Sequence, residues 1–195
     1  MFFLCISNAF SQNWKEMDDS TYYSIVKNRF NKRNIHFGAG GAIRYGYQSP
    51  YTTFSFGART QAGYFVANRW LLSGQMEFYR GFLESDTSSG NADYFRYLAG
   101  PQVRYYFKPK HRTLFCQLSV LAGHEDNNVN EIPDYNQFSH FIYGGSIAGG
   151  ISVFIRRFEF ELLAGFTWYS SDYKNDNDYY PYSILQINLS YILDR

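Results

Sequence analysis

From Ile35 onward, apolar side chains recur at every second position, interrupted at intervals by polar stretches. No other feature limits so sharply what this chain can become. Successive side chains of an extended strand point to opposite faces, so each run specifies a strand with one apolar face and one polar or small face. In the first run Ile35, Phe37, Ala39, Gly41, Ile43, Tyr45 and Tyr47 share a face, opposite His36, Gly38, Gly40, Ala42, Arg44 and Gly46. The same reading gives apolar faces over Phe54–Tyr64, Trp70–Phe78, Phe95–Phe107, Leu114–Ala122, Phe141–Ile155, Phe158–Trp168 and Ser183–Leu193, each taken at alternate residues. Eight strands result. Although 18% of the chain is charged, none of these apolar faces carries a charge.

The connections sort by length. Short turns follow the second, fourth and sixth strands, at Val66–Arg69, Lys108–Arg112 and Arg156–Arg157, and long polar loops follow the third, fifth and seventh, over Gly81–Asp93, His124–Gln137 and Ser170–Pro181. All long connections therefore lie at one end. A soluble Greek-key sandwich has no reason to sort its loops in this way, whereas a membrane barrel has short turns on one side and long loops on the other. Aromatic residues make up 21% of the chain. They gather near both ends of the apolar faces: Tyr64, Trp70, Tyr105, Phe107, Phe158 and Tyr191 toward the short turns, and Tyr45, Tyr47, Phe54, Phe78, Phe95, Phe141, Tyr143 and Trp168 toward the long loops. Two girdles suit two membrane interfaces. The expected fold is all-β: an eight-stranded antiparallel up-and-down transmembrane β-barrel over residues 35–195. Pro101 lies inside the fourth strand without an amide to donate, so a bulge or a lost hydrogen bond is expected there.

The stretches Ala62–Gly74 (AGYFVANRWLLSG) and Gly100–Phe107 (GPQVRYYF) resemble the outer membrane protein beta-barrel domain family, eight-stranded relatives of the OmpA, OmpX and OmpW barrels. The likeness covers Ile35 to Leu193. It implies the cell outer membrane of a Gram-negative bacterium, contact with outer-membrane lipid and lipopolysaccharide, insertion by the barrel assembly machinery, and a monomer.

Before the barrel, Ala9-Phe10-Ser11 follows an apolar opening and places a leader over residues 1–11, cleaved after Ser11. Residues 12–34 then form a polar periplasmic segment in which Asp18-Asp19-Ser20 caps a short helix. Cys116 is then the single remaining cysteine, so neither a disulfide framework nor a thiolate metal cluster is expected.

The polar faces carry Arg44, Arg59, Glu77, Arg96, Arg104, Glu159 and Glu161 among glutamines 61, 75, 102, 117 and 186. An eight-stranded barrel is just wide enough for its own side chains to fill it, and buried charges must pair. The expectation is a plug of ion pairs, with Arg59–Glu77 first and Arg104–Glu161 second. A narrow or gated pore for small solutes is the transport alternative. His124 and His140, with Glu125, Asp126 and Ser139, supply the residue types of acyl transfer. They raise an enzymatic alternative, a lipid A-modifying hydrolase or transferase. Loop acids Asp172, Asp176 and Asp178 are read as solvated rather than cation-binding. No phosphate loop, CxxC or HExxH occurs, so no cofactor and no catalytic or metal residues are assigned and no enzyme is expected. A net charge of +1 provides no field for nucleic acid. The expected role is structural or adhesive, through external loops whose ligand is not specified.

Overall fold

The structure, a computed structural model, describes residues 30–48, 51–85, 91–108, 112–129, 138–155, 157–171 and 180–193. The leader, the Asp18-Asp19-Ser20 cap and the acids Asp172, Asp176 and Asp178 lie outside the described residues. Eight strands follow one another: β1 Ile35–Gln48, β2 Tyr51–Ala67, β3 Trp70–Ser85, β4 Asn91–Tyr106, β5 Arg112–Val129, β6 Phe138–Ile155, β7 Phe158–Ser171 and β8 Tyr180–Leu193. Each pairs antiparallel with its neighbours in sequence, and β1 pairs with β8 to close the barrel. Every sheet edge is thereby paired, as a lipid-embedded backbone requires.

The stagger follows from the register. Moving from partner to partner once round, Ile35 leads through Tyr64, Leu72, Val103, Leu118, Ile147, Phe166 and Ser183 back to β1 at Tyr45, ten residues further along. A shear of this size on eight strands inclines them by about 40–45° to the barrel axis and leaves a lumen that side chains fill.

The alternation is realised with the apolar face outward. Ile43, Phe56, Met76, Leu118, Val120, Ile147, Leu162 and Ile187 are exposed, while Arg44, Glu77, Arg104 and Glu159 are fully buried. Such an exterior is stable only against lipid. Aromatic pairs mark its two ends. Trp70–Tyr105 and Phe158–Tyr191 lie toward the short turns, with ring centroids 4.8 and 5.4 Å apart, and Phe78–Tyr97 lies toward the long loops at 5.9 Å.

Two local expectations are refined. Pro101 breaks the ladder toward β5, where pairing jumps from Ala99–Ala122 to Gln102–Ser119, yet the register is unchanged and Pro101 still stands opposite Gly74 of β3. Two pairings are lost, at Gly100 and Pro101, without a bulge. The bulge lies instead in β2, between Phe65 and Ala67, next to the Asn68–Arg69 turn, where Arg69 adopts a φ of 72°.

The loops read from the sequence are too long. β3 and β4 stay paired up to Glu84–Asn91, and β5 pairs with β6 up to Asn127–Phe138. Hairpins can extend beyond the apolar band because water satisfies polar side chains there as readily as in a loop. Loss of hydrophobic alternation therefore marks the membrane boundary, not the strand end.

Candidate functional site

The lumen is stacked in layers. At the short-turn end it is apolar: Phe65, Leu71, Tyr106, Phe115, Phe154, Leu163 and Ile192 turn inward around Phe30. The Phe30 ring lies 4.9 Å from Tyr106, 5.1 Å from Phe154 and 5.9 Å from Phe65, centroid to centroid. Main-chain bonds tie the segment down: Arg33 N donates to Phe65 O at 2.8 Å, Phe65 N to Asn34 O at 2.9 Å and Arg69 N to Phe30 O at 3.1 Å. The end of the polar 12–34 stretch thus forms a floor. Sequence patterning does not reveal it, because one phenylalanine between Arg29 and Asn31 has no periodicity to betray its burial.

Above the floor lies the densest charge cluster. Arg104 from β4 grips Glu161 of β7 with two nitrogens, Nη2 at 3.0 Å from Oε2, and also donates to Gln117 Oε1 and Tyr106 Oη. Asn188 Nδ2 donates to Glu161 at 2.9 Å, and Ser152 donates to Glu159. His36 Nε2 lies 3.0 Å from Glu159 and 3.7 Å from Glu161. His36, Glu159 and Glu161 therefore bring three ligand-type atoms within 4.8 Å of one another. Arg104 is bound to Glu161 and His36 to Glu159, so the described contacts of the two carboxylates are those of an ion-paired network.

The next layer is centred on Arg59. Its register partner is Glu77, directly opposite on β3. The guanidinium nevertheless reaches mainly toward amides: Gln186 at 2.8 Å, Gln61 at 3.1 Å, and Gln75 and Gln102. Glu77 forms its short contact with Arg44 of β1, while Arg59 Nε stays 3.9 Å away. Glu77 thus has two cationic neighbours, and Arg44 is the nearer.

Toward the long loops the network becomes aromatic. The Arg44 guanidinium lies 3.7 Å from the Tyr79 ring centroid, and Arg96 sits among Tyr169, Tyr94 and Tyr182 at 4.5, 5.0 and 5.4 Å. Arg96 also pairs with Glu125, a residue of β5 that hydrophobic patterning alone places in a loop. Each of the four tyrosines covers a glycine on the adjacent strand: Tyr79 over Gly57, Tyr94 over Gly81, Tyr169 over Gly144 and Tyr182 over Gly46. A β-carbon on any of these glycines would meet the ring at 2.8 Å or closer.

All seven charged residues assigned to the interior lie there, buried, joined by His36 and Glu125. The acyl-transfer group is divided by strand alternation. Glu125 and His140 turn inward, 3.6 Å apart, whereas His124 turns outward, its ring edge-on to Phe141. Asp126 and Ser139, directly paired, share that outward parity.

A closed barrel with a lipid-compatible exterior and an ion-paired lumen defines a transmembrane β-barrel of the outer-membrane type. Solved structures share this fold. Neisserial surface protein A superposes with a TM-score of 0.60 at 12% identity, over 80% of this chain and 96% of that one. Ail, the attachment invasion locus protein of Yersinia pestis, in complex with the heparin analogue sucrose octasulfate, gives 0.56 at 12% identity, over 83% and 99%. The N-terminal β-barrel domain of Pseudomonas aeruginosa OprF gives 0.52 at 14% identity, over 82% and 98%. No family model and no curated protein matches the chain.

Proposed function

We propose that this chain is an integral protein of the Gram-negative outer membrane whose filled barrel serves as an anchor, with a structural or adhesive role carried by the long-loop end. The observation that carries this reading is the lumen. An aromatic floor around Phe30 and buried ion pairs above it occupy the path a solute would take. Division of the His–acid–Ser group between the two faces of the wall favours a non-enzymatic role. The name of Ail, a fold neighbour, speaks of attachment, and that protein has been seen with a heparin analogue.

The chemistry of this chain points to a different partner. The segments joining the strands at the long-loop end carry Asp86, Glu131, Asp134, Asp172, Asp176 and Asp178 against Lys174. An acidic rim repels a sulfated polysaccharide and attracts a basic surface. Cells expressing the chain should therefore adhere to polylysine-coated beads more than to heparin-coated ones. Replacing residues 130–137 and 172–179 with Gly/Ser linkers should abolish the difference. Equal adherence by both cell types, with unchanged detergent resistance of the envelope, would reject both the adhesive and the structural role. Lipid A mass spectrometry of the same cells should show no new acylation state; a changed one would favour the enzymatic alternative.

A second reading, a gated pore, has one observation in its favour. Buried polar atoms without a hydrogen-bond partner occur at several heights of the lumen, among them Arg44 Nε, Arg96 Nη1 and Thr167 Oγ1 toward the long loops and Gln75 Nε2, Gln102 Nε2 and Asn188 Oδ1 nearer the floor. Such atoms suit a hydrated lumen.

A further inference from the structure

The outer wall carries a feature that neither lumen nor loops explain. A groove of about 860 Å³ crosses its lipid-facing side, floored by small residues, Ala39, Thr60, Ala62 and Gly74, and flanked by Phe37 and Met76. A second hollow of about 680 Å³ shares Phe37 and Ala62 with it and opens toward the short-turn end beside Tyr64 and Arg33. The two hollows adjoin at Phe37 and Ala62; the larger is mainly apolar, and Arg33 lines the smaller at the short-turn end.

Arg33 is held there. Its backbone adopts a φ of 84°, outside the range most side chains prefer, and its amide is anchored to Phe65 O. The side chain is exposed, and among the described residues no carboxylate lies within ion-pair distance of it. Lys32, Lys108, Arg112 and Arg157 are exposed at the same end, whereas the described acids lie in the lumen or toward the long loops.

We propose that these adjoining hollows bind one glycerophospholipid of the leaflet facing the short turns, with Arg33 on the headgroup phosphate and an acyl chain along the small-residue floor. Charge complementarity points to the headgroup, because an exposed guanidinium at an interface, with no carboxylate beside it among the described residues, is matched by phosphate. Dimensions identify the chain. From Ile35, where β1 begins, to Ala39 is four residue steps, about 13 Å along the strand and about 10 Å along the membrane normal at the tilt above, within one half of an apolar band of about 25–30 Å. The lipid would then fill a depression that would otherwise leave the wall poorly packed. The site rests on the outer-membrane reading.

The full chain, refolded in detergent and titrated with palmitoyl-oleoyl phosphatidylglycerol, should retain one lipid per barrel by native mass spectrometry. Arg33→Gln should weaken this adduct about tenfold while leaving retention of a diacylglycerol with the same chains unchanged. Gly74→Phe should weaken retention of both. This variant is chosen because a β-carbon at Gly74 meets nothing within 4 Å, so the barrel should fold while the groove fills. Lys108→Gln, at the same rim but outside the groove, should behave as wild type. Equal retention by wild type and Arg33→Gln, or an equal loss in Lys108→Gln, overturns the site, as does full retention by Gly74→Phe. A chain that refolds and inserts into vesicles without keeping a discrete lipid refutes this site alone. A chain that fails to insert refutes the membrane reading as well.

Discussion

Glu77 shows what a single buried charge does in this lumen. Arg44 beside it has Nε and Nη1 without hydrogen-bond partners, so the carboxylate is its principal compensation apart from the Tyr79 ring. Glu77→Gln should destabilise the barrel by about 3–5 kcal/mol in a dry site, and less if water enters. Glu77→Gln with Arg44→Met should recover part of that loss, and Glu77→Gln with Arg59→Gln should recover less, because amides already hold Arg59. Urea unfolding in detergent, arranged as two double-mutant cycles, reads both coupling energies. Phe30→Ala should cost about 3–5 kcal/mol as a core truncation, and Lys32→Ala close to nothing. Alternation was enough to read which side chains enter the lumen, and register was enough to set Arg59 opposite Glu77. The choice between Arg44 and Arg59 was not legible, because long side chains on β1 and β2 both reach the one carboxylate on β3 and packing decides between them. His36 was on the inward face from the start, but its role depends on β7, far away in sequence. Phe30 left no pattern at all.

At the scale of the element, strand number, order and face are the legible part, since a period of two over long runs admits no alternative. Ends are less so: β5 continues through Glu125 and Asn127, because an antiparallel ladder needs no apolar residues once both its faces are wet. The uncharged outer faces predict that Leu118→Arg or Ile147→Arg, adjacent on β5 and β6, each costs about 2–4 kcal/mol near the midplane. Unchanged heat-modifiable gel mobility together with an unchanged urea midpoint in either variant would contradict the assignment of that face. Pro101 leaves a gap in the β4–β5 ladder. Pro101→Val should close it, adding a slowly exchanging amide at position 101 and raising the urea midpoint. An amide there that exchanges as fast as those of the turns would mean the strands are held apart by something other than proline.

At the scale of the whole molecule, loop sorting predicts orientation, with the long loops outside. In a Cys116→Ser background, an impermeant maleimide applied to intact cells should label Ser88→Cys, Asn128→Cys and Asn175→Cys but not Asn68→Cys or Lys110→Cys; the reverse pattern would invert the barrel. Orientation, however, does not decide whether anything passes through. In the proposed filled barrel the floor around Phe30 closes one end and the Arg104–Glu161 and Arg44–Glu77 pairs fill the middle. Single-channel recording of the full chain in planar bilayers tests that closure most directly. The expected trace has no unitary steps at any holding potential. Steps of constant, ohmic amplitude whose frequency rises with the amount of folded protein would contradict a filled barrel.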